Sequence, residues 1–136
     1  MAGPDFMCIG AQKAATTWLE AKLRQHPRIW RPFSKELHYF DTIDDGSAHA
    51  YWKADLARKL DRRIARLTRE GGSAREIAHL NRLKEPEFLL TPDWYAAVFA
   101  LKPWRHIAGD FTPRYAAMPE AAIDRLLAAS PKARMR

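Results

Sequence analysis

The sequence FMCIGAQKAATTWLEAKLRQHP, residues 6–27, gives the strongest indication of how this chain folds. Residues 6–9 are an apolar run without alternation, which is typical of a buried strand in a parallel sheet. Residues 10–16 form a loop of small residues. A helix is predicted over 17–24, before Pro27, with Trp18 or Leu19 and then Leu23 on its apolar face. A strand, a tight loop and a helix in this order predict an α/β fold whose first loop faces an anion at the helix N-terminus.

The predicted loop combines several groups that bind phosphate. Lys13 supplies a full charge, and Thr16 and Thr17 supply hydroxyls beside the backbone N–H groups of the helix start. A Walker A loop, G-x-x-x-x-G-K-[ST], is excluded because Lys13 comes three residues after Gly10 and no second glycine precedes it. Two interpretations stay open, a loop for a different terminal phosphate and a structural turn with an exposed lysine.

Composition favours a folded domain and argues against disulfide-stabilised secreted proteins and membrane proteins. The chain has 136 residues with 47% apolar and 29% charged residues, which fits one folded domain. Its net charge of +7 fits an anionic ligand. Cys8 is the only cysteine, so a disulfide-stabilised secreted domain is excluded. No apolar run approaches the roughly 18 residues of a membrane helix and no signal peptide is recognised, so we expect a cytoplasmic protein without a membrane partner.

Further elements follow from periodicity and capping signals. They are strands at 28–33 and 105–111 and helices at 51–70, 73–85, 91–100 and 118–130. Ser73 with Glu76 forms a capping box, and Thr91 caps the helix after it. The last helix is expected to face inward with Ile123, Leu126 and Leu127. An α/β fold requires another parallel strand after it, and we find only a stub at 135–136, so we expect the front part of a longer protein.

The section 51–88 is strongly basic. Between Arg58 and Lys84 it carries nine lysine and arginine residues on amphipathic helices. It is interpreted either as a solvated helical hairpin or as a cationic platform for an anionic acceptor. A protein of another class, a module that binds nucleic acid through these helices, is the competing interpretation.

The loop resembles the 5′-phosphosulfate-binding loop of sulfotransferases that use 3′-phosphoadenosine 5′-phosphosulfate (PAPS), particularly the carbohydrate and heparan-sulfate type and its bacterial relatives. That loop reads G-x-x-K-[AG]-G-T-[TS]-x-L, and it is matched by Gly10, Lys13, Thr16, Thr17 and Leu19. Ala15 replaces a glycine, which is tolerated at negative φ and unfavourable at positive φ. The resemblance implies a donor-binding segment made of Gly10, Ala11, Gln12, Lys13, Ala14, Ala15, Thr16, Thr17 and Trp18.

The segment SKELHYFD, residues 34–41, resembles the [KN]-E-[VIL]-H-[FY]-F pattern of the same enzymes. The resemblance implies that Glu36 is the catalytic base, with His38 as the second candidate. Lys13 is then the catalytic cation on the donor, while Lys35 and His38 tune the base or hold the acceptor. A carboxylate within hydrogen-bond reach is a natural base for an attacking hydroxyl.

Two later stretches extend the resemblance. WYAAVF (94–99) and GDFTPRYAAMPEA (109–121) resemble segments near the acceptor cleft, which implies acceptor contacts by Trp94, Tyr95, Thr112 and Tyr115. A place in the helix core is the alternative for Trp94. Asp110 stands where the family has glutamate. The arginine and serine that bind the 3′-phosphate in the family belong to a later pattern that this sequence does not contain.

The resemblance thus implies a three-layer, P-loop-like α/β sulfotransferase fold with a parallel sheet. Residues 1–136 are expected to form one partial domain, with 51–88 as a helical insertion. The expected activity is sulfuryl transfer from PAPS to a hydroxyl or amine of a carbohydrate or small molecule, without metal and without a nucleic-acid partner. The alternatives are a catalytically inactive fragment and the basic binding module. A phosphotransferase is disfavoured by the lysine spacing.

Overall fold

The structure, a computed structural model, describes residues 3–10, 13, 15–130 and 134–135. Within these residues four strands form one sheet in the order β2-β3-β1-β4, and all the paired strands are parallel. The strands are β1 (Phe6–Cys8), β2 (Ile29–Trp30), β3 (Ile107–Phe111) and β4 (Arg134–Met135). The predicted α/β class with a parallel sheet is confirmed.

Five α-helices and one 3-10 helix connect the strands in the described residues. They are α1 (Thr16–Leu23), α2 (Gly46–Arg69), α3 (Ala74–Leu83), α4 (Pro92–Val98) and α5 (Glu120–Ala129), with the 3-10 helix at Pro113–Ala117. The predicted caps are confirmed, because Ser73 Oγ accepts from the Glu76 N–H and Thr91 Oγ1 accepts from the Trp94 N–H. In this part of the chain no helix combines the length and the apolar character that a membrane crossing requires.

The strand after the last helix corrects one prediction. Arg134 and Met135 pair in parallel with Phe6 and Met7 of β1, so a strand exists where only a stub was expected. Two residues at the end of a helix carry too little hydrophobic pattern to be recognised as a strand from sequence.

A glycine permits the pairing of the two central strands. Phe6 in β1 lies opposite Gly109 in β3, and a Cβ on Gly109 would lie 2.3 Å from the Phe6 ring. Any other residue at this position would force the aromatic ring or the strand to move. The strands carry Met7 and Ala108 into the core, and both side chains are fully buried.

Helices α2 and α3 share the core of the sheet domain. Leu56 and Leu60 of α2 are fully buried in the same cluster as Leu37 and Trp94. The indole N–H of Trp94 donates to the Leu83 carbonyl at the end of α3, at 3.0 Å. The section 51–88, which was predicted as an insertion, therefore contributes side chains to the core of the described domain.

The extent of α2 also differs from the prediction. It begins at Gly46 instead of Tyr51, because Asp45 caps it through a hydrogen bond from the Ala48 N–H to Oδ1 at 3.0 Å. An Asp-Gly pair also fits a turn, so its capping role is not evident in the sequence.

Two helices turn different faces inward than predicted. In α5, Leu126 and Ala122 are buried, whereas Ile123 and Leu127 are 36% and 48% exposed. In α1 the large apolar residues Trp18 and Leu19 are exposed, and the buried residues are Thr16 and Glu20. The Glu20 carboxylate is compensated by the Arg31 guanidinium, with Nε 2.6 Å from Oε1.

Candidate active site

The loops after β1, β2 and β3 meet at the carboxyl edge of the sheet, because the strands are parallel. The connection from β1 crosses the sheet toward β2, and the connection from β3 crosses in the opposite direction toward β4. Ligands of α/β sheets bind in the crevice where the connections diverge in this way. The candidate donor residues follow β1, the segment 34–41 follows β2, and Thr112 and Tyr115 follow β3, whereas Trp94 and Tyr95 lie on α4.

The loop after β1 is described at Gly10, Lys13 and Ala15, whereas Ala11, Gln12 and Ala14 lie outside the described residues. A Cβ on Gly10 would lie 2.9 Å from the Cβ of Ala116, so the start of the loop packs closely on the 3-10 helix. Lys13 is exposed and has a φ of 62°. The loop therefore presents the lysine at the surface of the carboxyl edge.

Helix α1 begins without a side-chain cap. Its N-cap residue is Ala15, whereas side chains cap the starts of α2, α3 and α4. Thr16 is buried, and Thr17 and Trp18 are exposed, so the accessible hydroxyl at the helix start is that of Thr17. A helix N-terminus without a cap keeps backbone N–H donors for an anion.

Ala15 adopts the backbone conformation in which alanine is unfavourable. Its φ is 62° and its ψ is 23°, in the left-handed region where the side chain crowds the following carbonyl. At this positive φ, alanine in place of the glycine of the resembled loop destabilises the backbone.

We expect Ala15→Gly to raise the free energy of unfolding by about 0.5–1 kcal/mol, because glycine adopts positive φ without this crowding. Denaturant unfolding measures the change. Ala21→Gly, inside α1, is the matched control and should lower stability by about 0.5–1 kcal/mol. A loss of stability in both variants would contradict the left-handed conformation of Ala15.

Lys35 joins the segment after β2 to the start of α1. Its Nζ donates to Thr17 Oγ1 at 2.8 Å and lies 3.6 Å from Glu36 Oε1. The candidate base, the cation beside it and the predicted donor-binding helix start therefore lie together. The Glu36 side chain is 34% exposed, so its carboxylate can be reached from solvent.

Glu36, His38 and Asp41 form a continuous hydrogen-bonded chain, here called the acid–histidine chain. His38 Nε2 lies 3.0 Å from Glu36 Oε2, and His38 Nδ1 lies 2.8 Å from Asp41 Oδ2. Glu36 is the only partly exposed member, because the side chains of His38 and Asp41 are 2% and 3% exposed. The chain thus runs from the surface into the core.

The environment of His38 favours its charged form. Both ring nitrogens face carboxylate oxygens, which an imidazolium satisfies by donating twice. Burial alone lowers its pKa, but the hydrogen bonds to Asp41 and Glu36 outweigh burial and raise the pKa above 6.5. Both ring nitrogens are occupied by these carboxylates and the side chain is 2% exposed, so the structure does not favour His38 as the base or as an acceptor contact.

His38 in turn acts on the ionisation of Glu36. The hydrogen bond from His38 is the largest influence on this carboxyl group and, against the effect of burial, lowers its pKa below 4.5. Glu36 therefore stays ionised near neutral pH, in the form that accepts a proton. Lys35 contributes to the same shift by its charge.

Two residues that the sequence analysis did not single out support the chain. The Trp52 indole of α2 stacks on the His38 ring, with centroids 3.5 Å apart and planes 10° apart. Arg114 Nε lies 3.5 Å from Asp41 Oδ2. Stacking and the second cation hold the imidazolium and the buried carboxylate in fixed positions.

The residues predicted as acceptor contacts lie in the core. Trp94 and Thr112 are fully buried, and Tyr95 and Tyr115 are 4% and 1% exposed. Their side chains present no surface to an acceptor, which corrects that assignment. For Trp94 the alternative interpretation, a place in the helix core, agrees with its burial.

Three of these buried residues converge on Asp110 of β3. The hydroxyls of Tyr95 and Tyr115 each donate to Asp110 Oδ2 at 3.0 Å, and Thr112 Oγ1 donates to Oδ1 at 2.6 Å. Burial raises the pKa of Asp110 to about 6, although the three hydrogen bonds act in the opposite direction. Burial raises the pKa of both tyrosines well above 10.0, so they remain hydrogen donors.

A cationic groove lies beside the candidate site. It has a volume of about 490 Å³ between the segment after β2 and the C-terminal half of α2, and its cations are Arg31, Lys59, Arg62, Arg63, Arg66 and Arg69. Burial, and then the repulsion of Arg66, lowers the pKa of Arg63. The groove concentrates positive charge that only carboxylates at its margin offset, such as Asp55 beside Lys59 at 3.0 Å.

Comparison with known proteins assigns no family. No family model, no curated protein and no solved structure matches the chain. Within the described residues no group of three or more histidine, cysteine, aspartate or glutamate side chains is placed to hold a metal ion.

Proposed function

We propose that the protein is a sulfotransferase domain that moves a sulfuryl group from PAPS to a hydroxyl or amine of a carbohydrate or small molecule. The observation that carries this proposal is the contact between two separate motifs. Lys35 hydrogen-bonds Thr17 at the start of α1, which places the ionised Glu36 beside the predicted donor-binding segment. Neither motif alone distinguishes transfer chemistry from a structural turn.

The donor-binding side of the site fits an anionic nucleotide. The described residues there offer the exposed Lys13, the exposed Thr17 and a helix start without a side-chain cap. A cation and backbone N–H groups directed at one region stabilise phosphate and sulfate oxygens. In this proposal Lys13 neutralises the charge that develops on the 5′-phosphate as the donor bond breaks.

Glu36 is proposed to act on the acceptor. The acceptor oxygen or nitrogen gives its proton to the Glu36 carboxylate and forms a bond to sulfur. The bond between sulfur and the bridging oxygen then breaks, and its electron pair leaves with adenosine 3′,5′-bisphosphate. The lowered pKa keeps Glu36 ionised but makes it a weaker base than one with a pKa near 7. His38 keeps the carboxylate oriented through its 3.0 Å hydrogen bond.

A transfer experiment tests the proposal. The protein is incubated with PAPS labelled in sulfur and with a panel of sugars and amines, and in parallel with Mg²⁺ and ATP labelled in the γ-phosphate. We expect the label to reach an acceptor only from PAPS. Labelled product from ATP alone would support a phosphotransferase, and the absence of product from both donors would support an inactive fragment or a binding module.

The cationic groove favours a second candidate function, a module that binds nucleic acid. Neutralising several phosphates with lysine and arginine releases counterions, so this function requires binding that weakens steeply with salt. Fluorescence anisotropy of a labelled single-stranded oligonucleotide at several salt concentrations measures it. Strong binding that adenosine 3′,5′-bisphosphate does not affect, and that Arg62, Arg66 and Arg69 replaced by alanine abolish, would favour the module.

A further inference from the structure

Asp110 is a buried carboxyl group with no direct contact to the candidate base. It is fully buried in β3 and accepts hydrogen bonds from Thr112, Tyr115 and Tyr95. Burying an ionisable group costs free energy unless hydrogen-bond partners replace the water that it loses. The partners, rather than the carboxyl group itself, reach the segment that contains Glu36.

Two of the three partners continue as hydrogen-bonded branches. Thr112 Oγ1 donates to Asp110 and accepts from the Leu37 N–H at 3.0 Å. The Tyr115 hydroxyl donates to Asp110 and accepts from the Tyr39 N–H at 3.2 Å. Because each hydroxyl has one hydrogen, donation to Asp110 directs its lone pairs at the backbone N–H.

The two branches end on either side of His38. This residue has a φ of 51°, a conformation that histidine adopts rarely and that surrounding contacts must maintain. Leu37 and Tyr39 are its chain neighbours, and their N–H groups are held by the branches from Asp110. We expect that loss of either hydrogen bond would alter the direction in which the imidazole projects.

We propose that Asp110 is a positioning residue which, through Thr112 and Tyr115, fixes the backbone on both sides of His38 and so holds the acid–histidine chain in place. That this chain serves a base in sulfuryl transfer rests on the proposed function. The positioning itself does not, because it concerns the geometry of the chain alone.

The first test compares two replacements of Thr112. Thr112→Ser keeps the hydroxyl that bridges Asp110 and Leu37, and Thr112→Val removes it while nearly conserving the shape. Nuclear magnetic resonance of the His38 imidazole gives its titration midpoint in each variant. We expect the titration midpoint of His38 to fall toward the ordinary value of 6.5 in the valine variant. In the serine variant it should stay raised, as in the wild type. The same midpoint in both variants would overturn the proposal.

The charged and titratable groups around His38 must be followed in this titration. They are Glu36 and Asp41 of its own segment, Asp110 of β3, and Arg114, which pairs with Asp41. Trp52 of α2, which stacks on the ring, is uncharged. The serine variant leaves all these groups unchanged, so a difference between the two variants reports the bridging hydroxyl.

A second test uses two tyrosines and remains decisive if Thr112→Val does not fold. Tyr115→Phe and Tyr95→Phe each remove one buried hydroxyl from the same oxygen of Asp110, but only the Tyr115 hydroxyl also holds the Tyr39 N–H. We expect only Tyr115→Phe to shift the His38 titration and to accelerate hydrogen exchange of the Tyr39 amide. Equal effects of both replacements would overturn the proposal.

Turnover measurements test the proposed function independently of the positioning role of Asp110. In a protein that transfers sulfuryl groups, Tyr115→Phe should lower kcat and leave donor binding nearly unchanged, whereas Tyr95→Phe should change neither. If no variant, including the wild type, transfers sulfuryl groups, the proposed function fails. The resonance and exchange measurements then still decide whether Asp110 positions the chain.

Discussion

Replacing Glu36 with glutamine is expected to slow sulfuryl transfer by about 10²- to 10⁴-fold, the usual contribution of a general base. Glutamine preserves the length of the side chain and can still accept the hydrogen bond from His38 Nε2, which lies 3.0 Å from Glu36 Oε2. It cannot take a proton from the acceptor. Initial rates with sulfur-labelled PAPS measure the loss, and calorimetry measures donor binding, which should stay nearly unchanged.

Glu87→Gln is the matched control for this replacement. Glu87 is exposed and lies between α3 and α4, so the same chemical change there should leave both turnover and donor binding intact. Turnover by Glu36→Gln at the wild-type rate would remove Glu36 from the role of base. An equal loss in both variants would indicate an effect of net charge on the domain.

Replacing Leu56 with alanine is expected to lower the free energy of unfolding by about 2–5 kcal/mol, the cost of a cavity at a fully buried leucine. Leu56 has no exposed surface and belongs to the core cluster that contains Leu37 and Trp94. Denaturant unfolding followed by circular dichroism and by tryptophan fluorescence measures the loss. Both signals should report a single transition, because α2 and the sheet share this core.

Leu127→Ala supplies the control, since Leu127 of α5 is 48% exposed and should lose less than about 1 kcal/mol. Two separate unfolding transitions, with only one affected by Leu56→Ala, would show that α2 and α3 fold as an independent unit. The section 51–88 would then be a detachable insertion, contrary to the packing of Leu56 and Leu60.

Capping and periodicity predicted much of the fold from sequence. The spacing of Leu56 and Leu60 identified α2, and Ser73 and Thr91 marked the starts of α3 and α4, because these signals depend on neighbours in the chain. The helix faces of α1 were not predictable in this way. Its apolar residues do not lie on one face of the helix. The burial of Glu20 depends on its ion pair with Arg31, which lies outside the helix.

In the candidate site, too, the residues within a local motif were predictable and those that depend on distant contacts were not. The positions of Lys35 and Glu36 followed from a motif within eight consecutive residues, 34–41. The role of Thr112 did not, because its partner Leu37 lies 75 residues away and the contact depends on the pairing of β3 in the sheet. The sequence placed Thr112 in a resembled segment, whereas the structure shows that it is fully buried and accepts a hydrogen bond from the Leu37 N–H.

Calorimetric titration with adenosine 3′,5′-bisphosphate, the product that PAPS leaves, measures whether the domain binds the proposed donor. The account predicts saturable binding of one molecule per chain and a loss of about tenfold or more in affinity for Lys13→Ala, because a charge-assisted contact to phosphate contributes about 1.5–3 kcal/mol. Lys102→Ala, which removes a lysine paired with Asp5, should bind as the wild type does. Absence of binding to the wild type, or equal affinity of the wild type and Lys13→Ala, would contradict the account.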